Sequence, residues 1–153
     1  MEQSSSLLLK LAQPQWFVPL FVVLWLAASA FMARAGGWRS LAQQFTAASA
    51  PEGQSFRFVS GSTGSNHWPI RYRNCLRVVV GREGLYVAVM FPFNFQCPAL
   101  LLPWSTIESV TERQLLTDRK VTFQVRGQWS TVTLSGPIGQ LAKAAFEQSR
   151  ASQ

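Results

Sequence analysis

Between Trp16 and Ala33 the chain runs for 18 residues without a charge, WFVPLFVVLWLAASAFMA, and the run closes at Arg34. At about 1.5 Å of rise per residue, roughly 18–20 helical residues cross a hydrocarbon core about 30 Å thick. Trp16 and Phe17 at one end, and Arg34, Trp38 and Arg39 at the other, suit the two headgroup zones, where aromatic rings and snorkelling cations sit. Pro19 falls near the first turn, where a missing N–H costs little. Charged residues are 14% of the chain, against about 25% in ordinary soluble domains. Residues 16–34 are therefore predicted to form one transmembrane helix, preceded by a tail, residues 1–15. Two other readings stay open. Ala28-Ser29-Ala30 and Ala33-Arg34-Ala35 have the small-x-small form of a signal-peptide cleavage site, although Lys10 is the only side-chain cation before the run. A buried core helix would keep a polar stripe, and here Ser29 is the only polar residue. Arg34 and Arg39 against Lys10 place the C-terminal side in the cytoplasm as the expectation.

Gly36-Gly37 breaks the apolar helix. Trp38, Leu41, Ala42 and Phe45 then fall on one helical face, so residues 37–48 are predicted as a short amphipathic helix. That face lies either in the headgroups or against the following domain. After a turn at SAPEG (49–53) the pattern becomes strand-like. Phe56, Phe58 and Val59 begin a short run, and 60–69 reads as a polar loop. Residues 75–91 read as a hairpin around Gly81-Arg82-Glu83-Gly84, 107–116 as a strand, and 121–135 as two strands around Gly127-Gln128. Gly136-Pro137 opens a helix over 137–150 with an apolar stripe at Ile138, Leu141, Ala142, Ala145 and Phe146. The expectation is two antiparallel sheets of six or seven strands, a mainly-β (α+β) domain over 54–150, capped by that helix.

This order resembles the pleckstrin-homology-like (PH/GRAM-like) superfold. More narrowly, GWRSLAQQF at 37–45, CLRVVVGREGLYV at 75–87 and LLLPWSTIESV at 100–110 resemble a group of uncharacterised single-pass bacterial membrane proteins, with Pro103-Trp104 followed by Ile107 the most distinctive piece. The resemblance covers 37–150. It implies a fold and a membrane tether and supplies no activity. In PH-like folds the loop between the first two strands often holds an anionic-lipid headgroup, which implies that role for residues 61–73.

Of the 14 cations only Lys10 and Arg34 precede Gly36, and of the 7 acids only Glu2, so the remainder carries about +6. Arg71, Arg73 and Arg77 share parity, and an extended chain presents them on one side as a candidate anionic-surface contact. The alternative is a solvated basic face. Phe93 and Phe95 in FPFNFQCPALLL, with Trp38 and Arg39, are candidate membrane-interface contacts. Catalysis has little to work with. His67 and Asp118 are the only residues of their types and neither lies in a nucleophile motif. Cys75, Cys97 and His67 lack zinc-ligand spacing. No enzyme activity, cofactor or metal is predicted, and no nucleic-acid-reading element stands out.

The function read from the sequence is a membrane-anchored, non-catalytic binding or scaffold module. Its partners are the lipid bilayer, anionic lipid headgroups, or a membrane or cytoplasmic protein. The alternative is a structural subunit of a membrane complex, joined through the small-residue patch Ala27, Ala28, Ser29, Ala30 and Ala33. The chain should remain in the membrane fraction after alkaline carbonate extraction and keep its N-terminus. A mature N-terminus at Phe31 or Gly36 would make the segment a signal peptide instead.

Overall fold

The computed structural model describes residues 14–65 and 67–152. Lys10 and nearly all of the predicted tail lie outside the described residues. α1 (Pro14–Ala35) covers the predicted apolar segment and is long and apolar enough to cross a membrane. Only 6% of its most apolar window is buried within the chain. Gly37 ends it in the left-handed region, at φ 67°. The Gly36 N–H donates to Met32 O at 2.9 Å and the Gly37 N–H to Arg34 O at 3.2 Å, satisfying carbonyls that the helix end would leave open. A side chain at Gly37 would also collide with Ser130 and Trp129, so packing as well as backbone conformation requires glycine there.

α2 (Trp38–Phe45) follows at once. Of the two sequence alternatives for its apolar face, the structure takes the second. Trp38 and Leu41 are each 0% exposed, because the face inserts into the β domain. Trp38 is therefore a core residue and not a membrane-interface contact, while Arg39, one position on, is exposed. The Trp38 indole Nε1–H donates to Pro98 O at 2.8 Å, which satisfies the one polar atom this ring brings inside.

The domain proper comprises β1 (Gly53–Gly64), β2 (Pro69–Gly81), β3 (Gly84–Val89), β4 (Leu100–Pro103), a 3₁₀ turn at Trp104–Thr106, β5 (Ile107–Leu115), β6 (Asp118–Val125), β7 (Thr131–Ser135) and α3 (Pro137–Ala151). All seven strands belong to one antiparallel sheet, in the order β4-β3-β2-β1-β7-β6-β5. The expectation of two sheets is corrected by β1. That strand is 12 residues long, pairs with β2 along most of its length, and pairs with β7 over Gly61–Gly64, so it belongs to both halves of a single curled sheet. Register shifts between Phe56 and Gly61 bend it, and Phe58 of β1 and Asn74 of β2 take positive φ, 58° and 51°, in this irregular stretch. The Ser60 hydroxyl closes the bulge, accepting from the Asn74 N–H at 3.0 Å and donating to Asn74 Oδ1 at 2.9 Å.

The predicted loop 60–69 thus shrinks to the link between Gly64 and Pro69. Gly61-Ser62-Thr63-Gly64 has poor strand propensity, yet ladder pairing on both sides holds it extended. Leu76, Val78, Leu85, Val87, Val121, Phe123, Val125 and Leu134 fill the concave interior. α3 covers the end of the sheet near Gly81, where Phe146 packs on Trp104 with ring centroids 6.3 Å apart. α2 covers the opposite end of β2, where Trp38 meets Tyr72 edge-on at 5.6 Å. Replacing Trp38 by Ala should lower unfolding stability by about 3–5 kcal/mol, whereas Arg39→Ala should change it by under about 0.5 kcal/mol. Denaturation of the full chain in detergent micelles measures both. Equal small effects would remove α2 from the core.

Candidate functional site

Because α2 is anchored in the core, the exit of α1 is fixed against the domain. Ala33, on the last turns of α1, is 1% exposed. Gly36 packs on Ile70 of β2. The Ser40 hydroxyl donates to Gln128 Oε1 at 2.7 Å and the Ser130 hydroxyl to Gly37 O at 3.4 Å, tying the helix junction to the β6–β7 turn. Three segments consequently surround the exit: the β1–β2 link, the β6–β7 turn and the 90–97 segment. Each presents exposed aromatic rings. Trp68, Trp129 and Phe93 are 69%, 55% and 52% exposed, and Phe91 and Phe95 join them.

A cavity of about 220 Å³ lies at this junction, lined by Ser29, Met32 and Ala33 of α1, Arg71 to Arg73 and Cys75 of β2, and Phe93 and Cys97. Ser29 lies six residues before Ala35, about 9 Å back along the helix axis. Phe93 and the two arginines therefore stand beside α1, not beyond its end. The Tyr72 hydroxyl and Thr63 Oγ1 are neighbours, but neither is aligned for a hydrogen bond with a partner among the described residues. Burial pushes the Tyr72 phenol well above its ordinary value, so it remains a neutral donor facing a mostly apolar space.

The structure brings Arg71, Arg73 and Phe93 together and leaves Arg77 apart. Arg71 and Arg73 are exposed on either side of the buried Tyr72. Arg77 lies beyond the Asn74 bulge, opposite Ala88 in register, half-buried and donating from Nε to Ser55 Oγ at 3.4 Å. Phe95 is 39% exposed on the same segment as Phe93. The stretch 61–73, expected as a headgroup-holding loop, is mostly the paired ends of β1 and β2, so its arginines project from a sheet. Sequence reading missed Trp129. A large exposed ring immediately after the Gly127-Gln128 turn was its only signal, and nothing local connects that turn to Gly37.

Cys75 and Cys97 are both free thiols, and both line the cavity. Burial raises Cys97 to about 11; the adjacent Tyr72 hydroxyl offsets part of this and the neighbouring Cys75 adds to it. Burial also raises Cys75. His67 is exposed. No cluster of three His, Cys, Asp or Glu side chains that would hold a metal ion occurs among the described residues. No protein-family model matches the chain, and no curated protein matches it.

The raised thiol value carries a pH signature. Protonated Cys97 is favoured by the fold, so its contribution is fully present below about 9 and is lost as pH climbs through about 11. Alkylation of Cys97 by iodoacetamide in the folded chain should rise with a midpoint near 11, against about 9 after unfolding. A folded-state midpoint at or below 9 would mean that the thiol is not enclosed as described.

Proposed function

We propose that this chain is a single-pass membrane protein whose PH-like β domain rests against the bilayer at the exit of α1 and contacts anionic lipid headgroups through Arg71 and Arg73. The observation that carries this reading is the shared cavity: both arginines line the same space as Ser29, Met32 and Ala33 of α1. If α1 spans the bilayer, those residues lie at headgroup depth, with Arg34 exposed beside them. The exposed rings of Trp68, Trp129, Phe93 and Phe95 then occupy the interfacial zone that suits such side chains. Each cation near an acidic surface is worth about 1 kcal/mol, so the pair supplies about 2 kcal/mol, roughly thirtyfold in lipid preference. The anchor raises the effective lipid concentration, so this modest energy suffices to populate the contact. The strand order and the α3 cap support the PH-like reading, and Arg34 with Arg39 supports a cytoplasmic domain. The alternative, a subunit joined through the small-residue patch of α1, is weakened because Ser29 and Ala33 already face the chain's own domain.

The test places the full chain in nanodiscs of phosphatidylcholine with and without phosphatidylglycerol and identifies retained lipid by native mass spectrometry. Phosphatidylglycerol should be enriched at low salt and less so at 1 M, where the Debye length is about 3 Å. The Arg71→Gln/Arg73→Gln double variant should lose the enrichment. Equal retention of the two lipids by the unaltered chain at low salt would end this reading.

A further inference from the structure

A second groove opens on the outer face of the sheet, away from the interior. The strand register aligns Arg71 of β2 with Ser62 of β1, Thr133 of β7, Thr122 of β6 and Thr111 of β5, a continuous row across five strands. One step along, Ser135, Lys120 and Arg113 form the neighbouring row. The central strands therefore contribute only short hydroxyl side chains here, while long cations rise from the flanking ones. The result is a groove of about 260 Å³ with Ser60, Ser62 and Thr133 on its floor and Arg71, Arg73 and Lys120 on its walls. It continues into an adjoining groove of about 230 Å³ that Arg71 and Lys120 share with Arg113.

Two features mark this groove as more than a solvated basic face. Among the described residues, none of these four cations forms an ion pair; the one ion pair is Lys143–Glu112, on the α3 side of the sheet. Asp118 also lines the groove, and it lies within salt-bridge distance of none of them. The Ser62 and Ser135 hydroxyls have no hydrogen-bond partner among the described residues, and Thr122 and Thr133 bond only to each other, at 2.9 Å. Unneutralised cations around a floor that includes the unpartnered Ser62 and Ser135 hydroxyls, on paired strands and not on a loop, match a compact anion with several acceptor oxygens.

We infer that this outer-face groove binds a phosphate monoester, with Arg71, Arg73 and Lys120 meeting its charge and Ser62 and Thr133 donating to its oxygens. The inference extends the anionic-lipid reading, because Arg71 and Arg73 border both spaces. Lys120, however, belongs to the groove and not to the cavity at α1, so the two readings separate on that residue.

The test uses the full chain in neutral phosphatidylcholine nanodiscs and two probes. Inorganic phosphate is titrated and followed by ³¹P line broadening. Separately, phosphatidic acid is mixed into the nanodisc and retained lipid is identified by native mass spectrometry. Lys120→Gln should weaken binding of whichever probe is held by at least tenfold and leave phosphatidylglycerol enrichment unchanged. Lys143→Gln, on the other side of the sheet, should alter neither. Binding should strengthen from about pH 5 to 7.5 as the monoester becomes a dianion, with its second ionisation at about 6. Retention of phosphatidic acid without free-phosphate binding assigns a lipid-borne ligand, and broadening by free phosphate assigns a soluble one; either supports the groove. Neither probe binding, or Lys120→Gln leaving both unaffected in a folded variant, overturns it. Loss of phosphatidylglycerol enrichment alone would remove the lipid-contact reading and leave the groove standing.

Discussion

The insertion of Trp38 is the contact on which the placement of everything else depends. A helix leaving a membrane and a β domain following it are ordinarily free to reorient about their link. Here the link is two glycines, and the residue after them is buried to 0% exposure, with its ring on Tyr72 and its N–H on Pro98 O. Swinging the domain away from α1 would mean withdrawing an indole from a packed interior and leaving a backbone carbonyl without its donor. Ser40 to Gln128 and Ser130 to Gly37 add polar ties at the same point. The direction in which the domain faces is thus set by packing. Arg71, Arg73, Phe93 and Trp129 are held beside α1 for the same reason.

The continuity of β1 is the second constraint. Two separate sheets would leave four edges. A single curled sheet leaves two, at β4 and β5, and β4 is partly covered where Thr46 bridges Leu100 and the Ala47 N–H donates to Ala99 O at 2.8 Å. β1 makes this possible by bending at Phe58–Ser60 without breaking. Just past the bend Ser62 lies between Arg71 on one side and Thr133 on the other, and Ser60, Arg73 and Ser135 line the same groove. The irregularity that joins the two halves of the domain is therefore also what forms the floor of the outer groove.

Elements with strong periodicity were legible from sequence: α1, the amphipathic face of α2, the hairpin around Gly81–Gly84, the alternation from Val121 to Val125, and α3 opening at Pro137. The failures share a cause. SGSTG reads as a loop because serine and glycine favour turns, but a strand paired on both sides takes its conformation from its neighbours. For Trp38 the sequence leaves both the headgroups and the following domain open, because the hydrogen bond to Pro98 O, 60 residues on, leaves no local trace. Parity puts Arg71, Arg73 and Arg77 on one side of an extended chain. It could not register Asn74 in the left-handed region or Ser55 holding Arg77. Lys120 was read as a polar position alternating with core residues, which it is. Its proximity to Arg71 requires the strand order, and composition does not encode that.

Net charge alone says little about what the domain meets; its division between faces says more. β5 shows this within two residues. Glu112 points toward α3, where Lys143 at 3.0 Å and Gln140 at 2.7 Å hold its carboxylate and keep it below the usual carboxylate range. Arg113, the next residue, faces the other way and lies opposite Lys120 in register, a like-charge pair across adjacent strands. Directly opposed like charges destabilise a sheet, and mixed signs are the ordinary arrangement of a soluble surface. Glu112 is paired on the α3 side, whereas on the outer face Asp118 forms no ion pair with Arg71, Arg73, Arg113 or Lys120. That repulsion would be relieved by an anion in the groove proposed above. The same strand thus carries one face whose charge is paired within the chain and one whose cation faces another cation across the ladder.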